Sequence, residues 1–297
     1  MTNPNFFIIG APKCGTTSLS AWLAEHPNIY MSPMKEPQFF NSDLQISIVP
    51  NRYAYERLFR GVKAKHAAVG EASVWYLASQ VAVPRIEQEL PGSRYIVMIR
   101  NPVDAAYSLH EQQLVTGNEH IKDFAAAWNL SEEREVGKFV TRRCREPRLL
   151  NYKNVCLFGR QLARLMDTVC KQRVLVLLLD DVKENPRREY MKVLDFLGVE
   201  DDGRQDFPAM NTAKELRWPI LYYAVRDLGH FLGIKRWLAV PELWRLVNII
   251  IGYNNRFRPR ELMSIDLREE LTEYFREDIY LLQKLLERDL SPWLDVA

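Results

Sequence analysis

The stretch that decides the fold is FFIIGAPKCGTTSL, from Phe6 to Leu19. Its apolar beginning is typical of a buried parallel strand, because such strands are covered on both faces. A loop bounded by Gly10 and Gly15 follows, and hydroxyl residues ahead of an apolar face predict a helix from about Thr16. Strand, glycine loop and helix N-terminus form an anion cradle, since backbone amides and the helix dipole converge there. The stretch therefore predicts a phosphate-binding site.

The glycine loop departs from the nucleotide-kinase pattern at one position. Gly10 and Gly15 have the spacing of the Walker motif G-x-x-x-x-G-K-[ST], but Thr16 stands where that motif has lysine. The only lysine of the loop is Lys13. The charge that would serve an ATP γ-phosphate is therefore displaced, which weakens the argument for magnesium-dependent chemistry, although a phosphate group is still expected to bind. An ordinary turn with a surface lysine is the alternative.

The length and composition allow a large hydrophobic core. The chain has 297 residues, of which 47% are hydrophobic, and a net charge of +2, so no global field favours nucleic acid as a partner. No run approaches about 18 consecutive apolar residues, and the first residues lack a signal-peptide pattern. The four cysteines are scattered and predict neither a zinc site nor a disulfide framework. We expect a cytoplasmic protein that requires no metal.

Strand-like and helix-like segments alternate along the chain. Four apolar runs predict core strands: Phe6–Gly10, Ala67–Glu71, Arg94–Ile99 and Arg173–Leu179. The clearer helical patterns are Thr17–Glu25, Pro102–Val115, Lys122–Glu135, Tyr152–Val169, Pro186–Leu197 and Leu267–Arg288. This alternation predicts an α/β fold, with a P-loop-like parallel sheet flanked by helices on both faces, in a single domain over 1–297. Ligands of such sheets bind at the carboxyl ends of the strands.

The segment 217–253 differs in character from the rest of the chain. It contains Trp218, Trp237 and Trp244 together with other aromatic and several basic residues, in an amphipathic helical pattern that is broken at Pro241. We interpret it as a helical, aromatic-rich C-terminal subdomain packed on the core. The alternatives are a cap over an apolar acceptor and a helix that lies on a membrane surface, which would give peripheral membrane or lipid contact.

A second motif follows the third predicted strand, in the sequence IRNPVDAAYS from Ile99 to Ser108. Arg100 leaves the strand at its carboxyl end, and Pro102 suits the first turn of a helix. Ser108 lies about two turns further on. A bidentate guanidinium and a hydroxyl suit a second phosphate group. An arginine that merely pairs with Asp104 at the helix start is the alternative.

Together the two motifs, G-x-P-K-x-G-T-T and R-N-P-x-D-x-x-Y-S, resemble those of sulfotransferases that use 3′-phosphoadenosine 5′-phosphosulfate (PAPS). The resemblance extends to His26-Pro27, Lys35–Phe40, Gly70–Ser73, Leu179–Pro186 and the closing run 256–294. It is thinnest over 218–253. It favours the carbohydrate (heparan-sulfate-like) and bacterial branch over the cytosolic steroid and phenol branch. It implies a fold akin to nucleotide kinases, PAPS as donor, 3′-phosphoadenosine 5′-phosphate (PAP) as product, and no required metal.

The resemblance also implies the residues of the donor site. The first motif is similar to the family's 5′-phosphosulfate loop, which would consist here of Lys13, Cys14, Gly15, Thr16, Thr17 and Ser18. The second is similar to the family's 3′-phosphate site, with Arg100 and Ser108 as ligands. Arg258 falls where relatives have a basic residue that closes over the 3′-phosphate. Lys13 is in addition a candidate catalytic residue, because it can neutralise charge on the leaving group.

Glu36 is the candidate general base. In the carbohydrate branch a glutamate placed two residues before glutamine or histidine, and followed by two phenylalanines, deprotonates the acceptor, and Glu36 has this place ahead of Gln38. An alcohol must lose its proton as it attacks sulfur, and a carboxylate within hydrogen-bond reach can take it. A solvated glutamate paired with Lys35 is the alternative. Glu71 is the rival catalytic base, and it could instead cap a helix or bind an acceptor hydroxyl.

The sequence thus predicts an enzyme that moves a sulfuryl group from PAPS to an acceptor hydroxyl. We expect the acceptor to be a glycan or a small molecule. A glycan, a glycolipid and a secondary-metabolite alcohol are the three candidates. Two alternatives stand beside this prediction. A P-loop small-molecule kinase would depend on magnesium and ATP, and a non-catalytic binding protein with a nucleotide fold would have no need of Lys13 and Glu36 together.

Overall fold

A computed structural model describes residues 3–210, 214–216, 255–257 and 263–296. Its strands are β1 (Phe6–Gly10), β2 (Ile29–Met31), β3 (Ala68–Ala72), β4 (Arg94–Ile99), β5 (Val174–Leu178), β6 (Lys214–Leu216) and β7 (Asn255–Phe257). Its helices are α1 (Thr16–Ala24), α2 (Arg52–Arg57), α3 (Ala82–Glu89), α4 (Pro102–Thr116), α5 (Phe124–Asn129), α6 (Ser131–Glu135), α7 (Tyr152–Val155), α8 (Phe158–Thr168), α9 (Leu179–Glu184), α10 (Pro186–Leu197) and α11 (Ile265–Leu286). The segment 217–253 and Arg258 lie outside the described residues, so the predictions made for them stay predictions.

The first five strands form one parallel sheet in the order β2-β3-β1-β4-β5, with β1 at its centre. Phe7 of β1 is paired in register with Glu71 of β3 on one side and with Tyr95 of β4 on the other. Every residue of β1 and β3 is buried. Because successive side chains of a strand point to opposite faces, both faces of the sheet are covered here. The predicted α/β fold with a helix-flanked parallel sheet is confirmed.

The predicted strands are all present, each within one residue of its expected ends. The edge strand β2 was not predicted, because three residues are too few for a periodic signal. The prediction of one helix over 122–135 was wrong. Asp123 caps α5 by accepting from the amide of Ala126 at 2.7 Å, and α5 and α6 are separated at Leu130.

The prediction of one helix over 152–169 was also wrong, because the chain starts a new helix, α8, at Phe158. Asp278 of α11 explains this start, since its carboxylate accepts from the amides of Gly159 at 2.7 Å and Arg160 at 2.9 Å. A Cβ on Gly159 would lie 2.4 Å from the backbone oxygen of Asp278, so glycine allows the close approach of α11. The cap comes from a distant part of the chain, which local periodicity does not indicate.

Helix α11 packs one apolar face on the core. Leu271, Phe275, Ile279 and Leu282 recur at helical spacing and are fully buried, and the helix contacts α8 and α4. None of the helices in the described ranges combines the length and the apolar content that a membrane-spanning helix needs.

The segment 200–210 lies along helix α1 and runs back toward the loop that precedes it. Three hydrogen bonds fix it along α1 and just beyond the end of this helix: His26 Nε2 to the Glu200 carbonyl at 3.0 Å, Trp22 Nε1 to the Pro208 carbonyl at 3.1 Å, and the Met210 amide to Ser18 Oγ at 3.0 Å. Phe207 adds an edge-on contact with the Trp22 ring, at 5.1 Å between centroids. The segment therefore ends beside the first turn of α1.

Candidate active site

The loop after β1 leads into α1 at the carboxyl end of the central strand. Gly15 is the N-cap of α1 and has a φ of +90°, a left-handed conformation that favours glycine. A Cβ there would also lie 2.8 Å from Cδ1 of Leu179. Thr16 and Thr17 form the first turn, and their amides donate to no acceptor in the described part of the chain, as is usual for first-turn amides. With the helix dipole, these amides can hold an anion.

The other three residues of the loop motif differ in what they offer. Lys13 is partly buried and has a φ of +65°, which is unusual for a residue with a side chain. The Cys14 thiol is buried and donates to the Pro12 carbonyl at 3.4 Å, and burial raises its pKa to about 12. Cys14 therefore contributes packing rather than charge. The Ser18 hydroxyl accepts from the Met210 amide, so it links the loop to the segment 200–210.

Arg100 lies directly after β4, next to this loop. Its Nη1 is 3.5 Å from the backbone oxygen of Lys13, and its Nη2 is 3.3 Å from Oδ2 of Asp104. Asp104 also accepts from Arg268 of α11 at 3.0 Å. Although burial disfavours the charged carboxylate, Arg100 and Arg268 outweigh that effect and hold the pKa of Asp104 below its usual value. An ionised Asp104 thus orients both guanidinium groups.

Helix α4 starts as the sequence indicates. The Asn101 side chain accepts from the Val103 amide at 2.9 Å, and Pro102 occupies the first turn. Ser108 is buried two turns further along the same helix. Arg100 precedes this helix by two residues, so the capped start of α4 fixes the place of Arg100 relative to Ser108. Arg268 was not found by sequence reasoning, because nothing local to 263–270 indicates its contact with Asp104.

Glu36 lies in a loop that is held against the carboxyl end of β3. Its amide donates to the Ala72 carbonyl at 2.8 Å. Its Oε2 accepts from the Val74 amide at 2.9 Å and from Gln38 Nε2 at 2.7 Å, while Oε1 pairs with Lys35. The side chain is about a quarter exposed, at 25%. The structure thus presents an oriented carboxylate at the carboxyl end of β3, where solvent and a ligand can reach it.

Glu71 is in a different environment, because its side chain is completely buried within the sheet. Its Oε1 accepts from the hydroxyls of Tyr55 at 3.0 Å and Tyr76 at 2.9 Å, and its Oε2 accepts from Ser73 Oγ at 2.8 Å. Burial raises the pKa of Glu71 to about 7, against the opposing effect of the three hydroxyl donors. Sequence reasoning missed this cluster, since Tyr55 comes from the short helix α2, which was not predicted.

The strand order brings these groups to one end of the sheet. Because β1 lies between β3 and β4, the loop with Lys13 has Glu36 on one side and Arg100 on the other. An anion-binding loop, a fixed guanidinium and an accessible carboxylate at the carboxyl ends of three adjacent parallel strands are the parts that a group-transfer site needs.

Known proteins are similar to this chain in sequence and architecture. Residues 3–210 match the family described as Sulfotransferase domain. The structure is similar to that of a sulfotransferase from Alicyclobacillus acidocaldarius, with a TM-score of 0.72 and 30% identity, over 99% of this chain and 100% of that one.

Two curated human proteins are similar at lower identity. Carbohydrate sulfotransferase 15 of Homo sapiens is 26% identical over 288 residues, which cover 75% of this chain and 51% of that protein. Bifunctional heparan sulfate N-deacetylase/N-sulfotransferase 2 of Homo sapiens is 24% identical over 312 residues, which cover 98% of this chain and 31% of that protein. The chain therefore spans about half of the length of the first relative and about a third of the second. On the family match and the structural similarity, the chain belongs to the sulfotransferase domain family.

Proposed function

We propose that the chain transfers the sulfuryl group of PAPS to an acceptor hydroxyl. The observation that carries this proposal is the position of the loop after β1 between Glu36, held at β3, and Arg100, which follows β4. The loop offers an anion site, and the two flanking strands offer a base and a second cationic site. Donor and acceptor can therefore meet over the central strand.

The residues around the loop suit the two phosphate positions of PAPS. The amides of Thr16 and Thr17 lack protein acceptors among the described residues and can donate to a 5′-phosphosulfate. Arg100, oriented by Asp104, can make bidentate contacts with a 3′-phosphate, and Ser108 on the following helix α4 can add a hydroxyl. Bound PAPS would supply the sulfuryl group and leave as PAP. Arg258 stays a predicted third ligand of the 3′-phosphate.

The chain's own residues have separate tasks in this mechanism. Glu36 takes the proton of the attacking hydroxyl on Oε1, which has a lone pair beyond its pairing with Lys35, whereas Oε2 already accepts from Val74 and Gln38. Lys13 stabilises the negative charge that develops on the leaving oxygen. The loop amides and Arg100 keep the donor aligned, so most of the rate enhancement comes from positioning and electrostatics. No step requires a metal.

We further propose a glycan-type alcohol as the acceptor. The sequence around Glu36 matches the carbohydrate branch, and relatives named for carbohydrate and heparan sulfate substrates support this choice. A role of the segment 217–253 as a cap or a lipid contact, the single-domain organisation and a cytoplasmic location stay predictions.

The two aspartates that follow β5, Asp180 and Asp181, argue against a kinase activity because both are already paired. Asp181 pairs with Arg288 through both carboxylate oxygens, and Asp180 accepts from Trp293 Nε1 at 3.3 Å. A P-loop kinase would need such an acid to hold magnesium at the phosphates. Here both acids fix the C-terminal residues to α9.

Calorimetric binding of PAP, compared with ADP and ATP, tests the proposal. We expect binding that depends on the 3′-phosphate and is unchanged by magnesium or by a chelator. Transfer of ³⁵S from PAPS to desulfated heparan sulfate, desulfated chondroitin and alkyl glucosides then identifies the acceptor class. A preference for ATP with magnesium, or the absence of any transfer, would overturn the proposed function.

A further inference from the structure

The loop that carries Glu36 has an unfavourable backbone conformation. Glu36 has a φ of +61° and Gln38 a φ of +51°. The left-handed region is sterically costly for residues with a Cβ. Such a conformation persists only where surrounding contacts over-determine it. The position of the proposed base therefore depends on what anchors its loop.

Two hydroxyl groups anchor three consecutive amides of this loop. Ser73 Oγ accepts from the Gln38 amide at 3.2 Å. The Tyr76 hydroxyl accepts from the amides of Phe39 at 3.0 Å and Phe40 at 3.3 Å. All five residues are buried, so solvent water cannot replace either hydroxyl as the hydrogen-bond acceptor of these amides. The two hydroxyl oxygens thus accept hydrogen bonds from the loop amides, as backbone carbonyls of a neighbouring strand would in a sheet.

Glu71 sets the direction of both hydroxyl groups. Tyr76 donates to its Oε1 at 2.9 Å and Ser73 to its Oε2 at 2.8 Å. An ionised carboxylate can only accept, so each hydroxyl points its hydrogen at Glu71 and its lone pairs at the loop amides. Tyr55 donates to the same Oε1 at 3.0 Å, but its hydroxyl makes no described bond to a loop amide.

We propose that Glu71 is a positioning residue for sulfuryl transfer. Its carboxylate orients Ser73 and Tyr76, and these hydroxyls hold the loop so that Glu36 can take the proton of the acceptor. Glu71 is fully buried, so its carboxylate is not exposed to a ligand at the surface. The inference rests on the proposed function and assigns to Glu71 a role other than that of the base.

The surroundings of Glu71 give this role a pH dependence. The polar groups that face it are Tyr55 from α2, Ser73 and Tyr76 after β3, and the carboxylate of Glu36. Protonation would make Glu71 a donor, and at least one of its hydroxyl partners would lose an acceptor. Since burial raises the pKa of Glu71 to about 7, kcat should rise with pH through about 7 and Glu71→Gln should remove that rise.

Tyr76→Phe and Tyr55→Phe form a matched pair for the test. Each removes one buried hydroxyl from the same oxygen of Glu71, but only Tyr76→Phe also releases the Phe39 and Phe40 amides. With PAPS and desulfated heparan sulfate, we expect Tyr76→Phe to lower kcat about 10- to 100-fold, because a small displacement of a reacting group costs that much. Tyr55→Phe should stay within about threefold of the unmodified chain. The affinity for PAP should be the same in both.

Hydrogen exchange of the Phe39 and Phe40 amides supplies a readout that does not depend on catalysis. We expect faster exchange in Tyr76→Phe than in Tyr55→Phe. Equal kcat in the two variants, or a lower kcat in Tyr76→Phe without faster exchange, would overturn the inference while leaving the proposed function in place. A chain that binds no PAP and transfers no sulfuryl group to any of the acceptors would overturn the proposed function itself, whatever the exchange rates.

Discussion

Asp278 accepts a hydrogen bond of 2.7 Å from the amide of Gly159, so the C-terminal helix α11 caps helix α8 across 119 positions of the sequence. A second bond of 2.9 Å, from the Arg160 amide, ends on the same carboxylate. Asp278 is buried, and water cannot take its place once it is removed. The core of the sheet and the C-terminal part of the chain are therefore stabilised together.

We expect Asp278→Ala to lower the free energy of unfolding by about 2 to 3 kcal/mol, because it leaves two helix-start amides unpaired in the interior. Denaturation in urea measures this change. The neighbouring Glu277 is exposed, so Glu277→Ala is the control and should change the stability by less than about 0.5 kcal/mol. Equal stability of the two variants would contradict the capping role.

Lys13→Met should remove turnover but not donor binding. The side chain loses the charge that stabilises the leaving oxygen, so we expect kcat to fall by about 10²- to 10³-fold. The affinity for PAP should fall much less, because the loop amides and Arg100 remain. Rates with PAPS and calorimetry with PAP separate the two effects, and exposed Lys65→Met is the control. A variant with full turnover would show that Lys13 has no part in the transfer step.

Arg100→Ala should abolish selection for the 3′-phosphate. We expect the affinity for PAP to fall about 10- to 100-fold, since a charged bidentate contact is lost, while the affinity for AMP stays the same. Arg268→Ala is a matched control, because Arg268 pairs with the same Asp104 from α11. The control should keep its preference for PAP over AMP. Parallel losses for both nucleotides in Arg100→Ala would place Arg100 at a structural site instead.

The contribution of Glu71 to the stability of the folded chain should decrease as the pH rises from about 4.5 to about 7. Glu71 has a pKa of about 7 in the folded chain against an ordinary value of 4.5, so the folded state binds its proton more tightly than the unfolded state does. Stability is then highest below the lower value and falls until the upper value is passed, by about 3 kcal/mol in total.

Urea denaturation at intervals across this pH range checks the effect. Glu71→Gln should flatten the dependence, whereas Glu133→Gln, at an exposed position, should leave it unchanged. A slope that persists in Glu71→Gln would assign the effect to another group.

Much of the fold could be predicted because its signals are local. The central strands are continuous apolar runs. Pro102 fits the first turn of α4, and Gly15 adopts the left-handed conformation found at the start of α1. The breaks in the helices could not be predicted in the same way. The start of α8 depends on Asp278, and no periodicity near Phe158 reports a carboxylate from α11.

The candidate site shows the same division. The loop motif and Arg100 could be predicted because each suits a phosphate group and because the two motifs together resemble a known family. The tie between Arg268 and Asp104 was not found, nor was the hydroxyl cluster around Glu71, since both join elements that are distant in sequence. Glu71 was considered as a base because of its position at a strand end. Its burial, which only the packed structure reveals, favours the positioning role proposed above.

The strand order β2-β3-β1-β4-β5 has a consequence for how acceptor specificity could be changed. On the proposed function, contacts with the donor lie on the β1 and β4 side, and the base that meets the acceptor lies on the β3 side. The loop over residues 35–40 can thus be exchanged for that of a relative without altering a donor ligand. Such a graft would be an engineering route to new sulfated products from one unchanged nucleotide site.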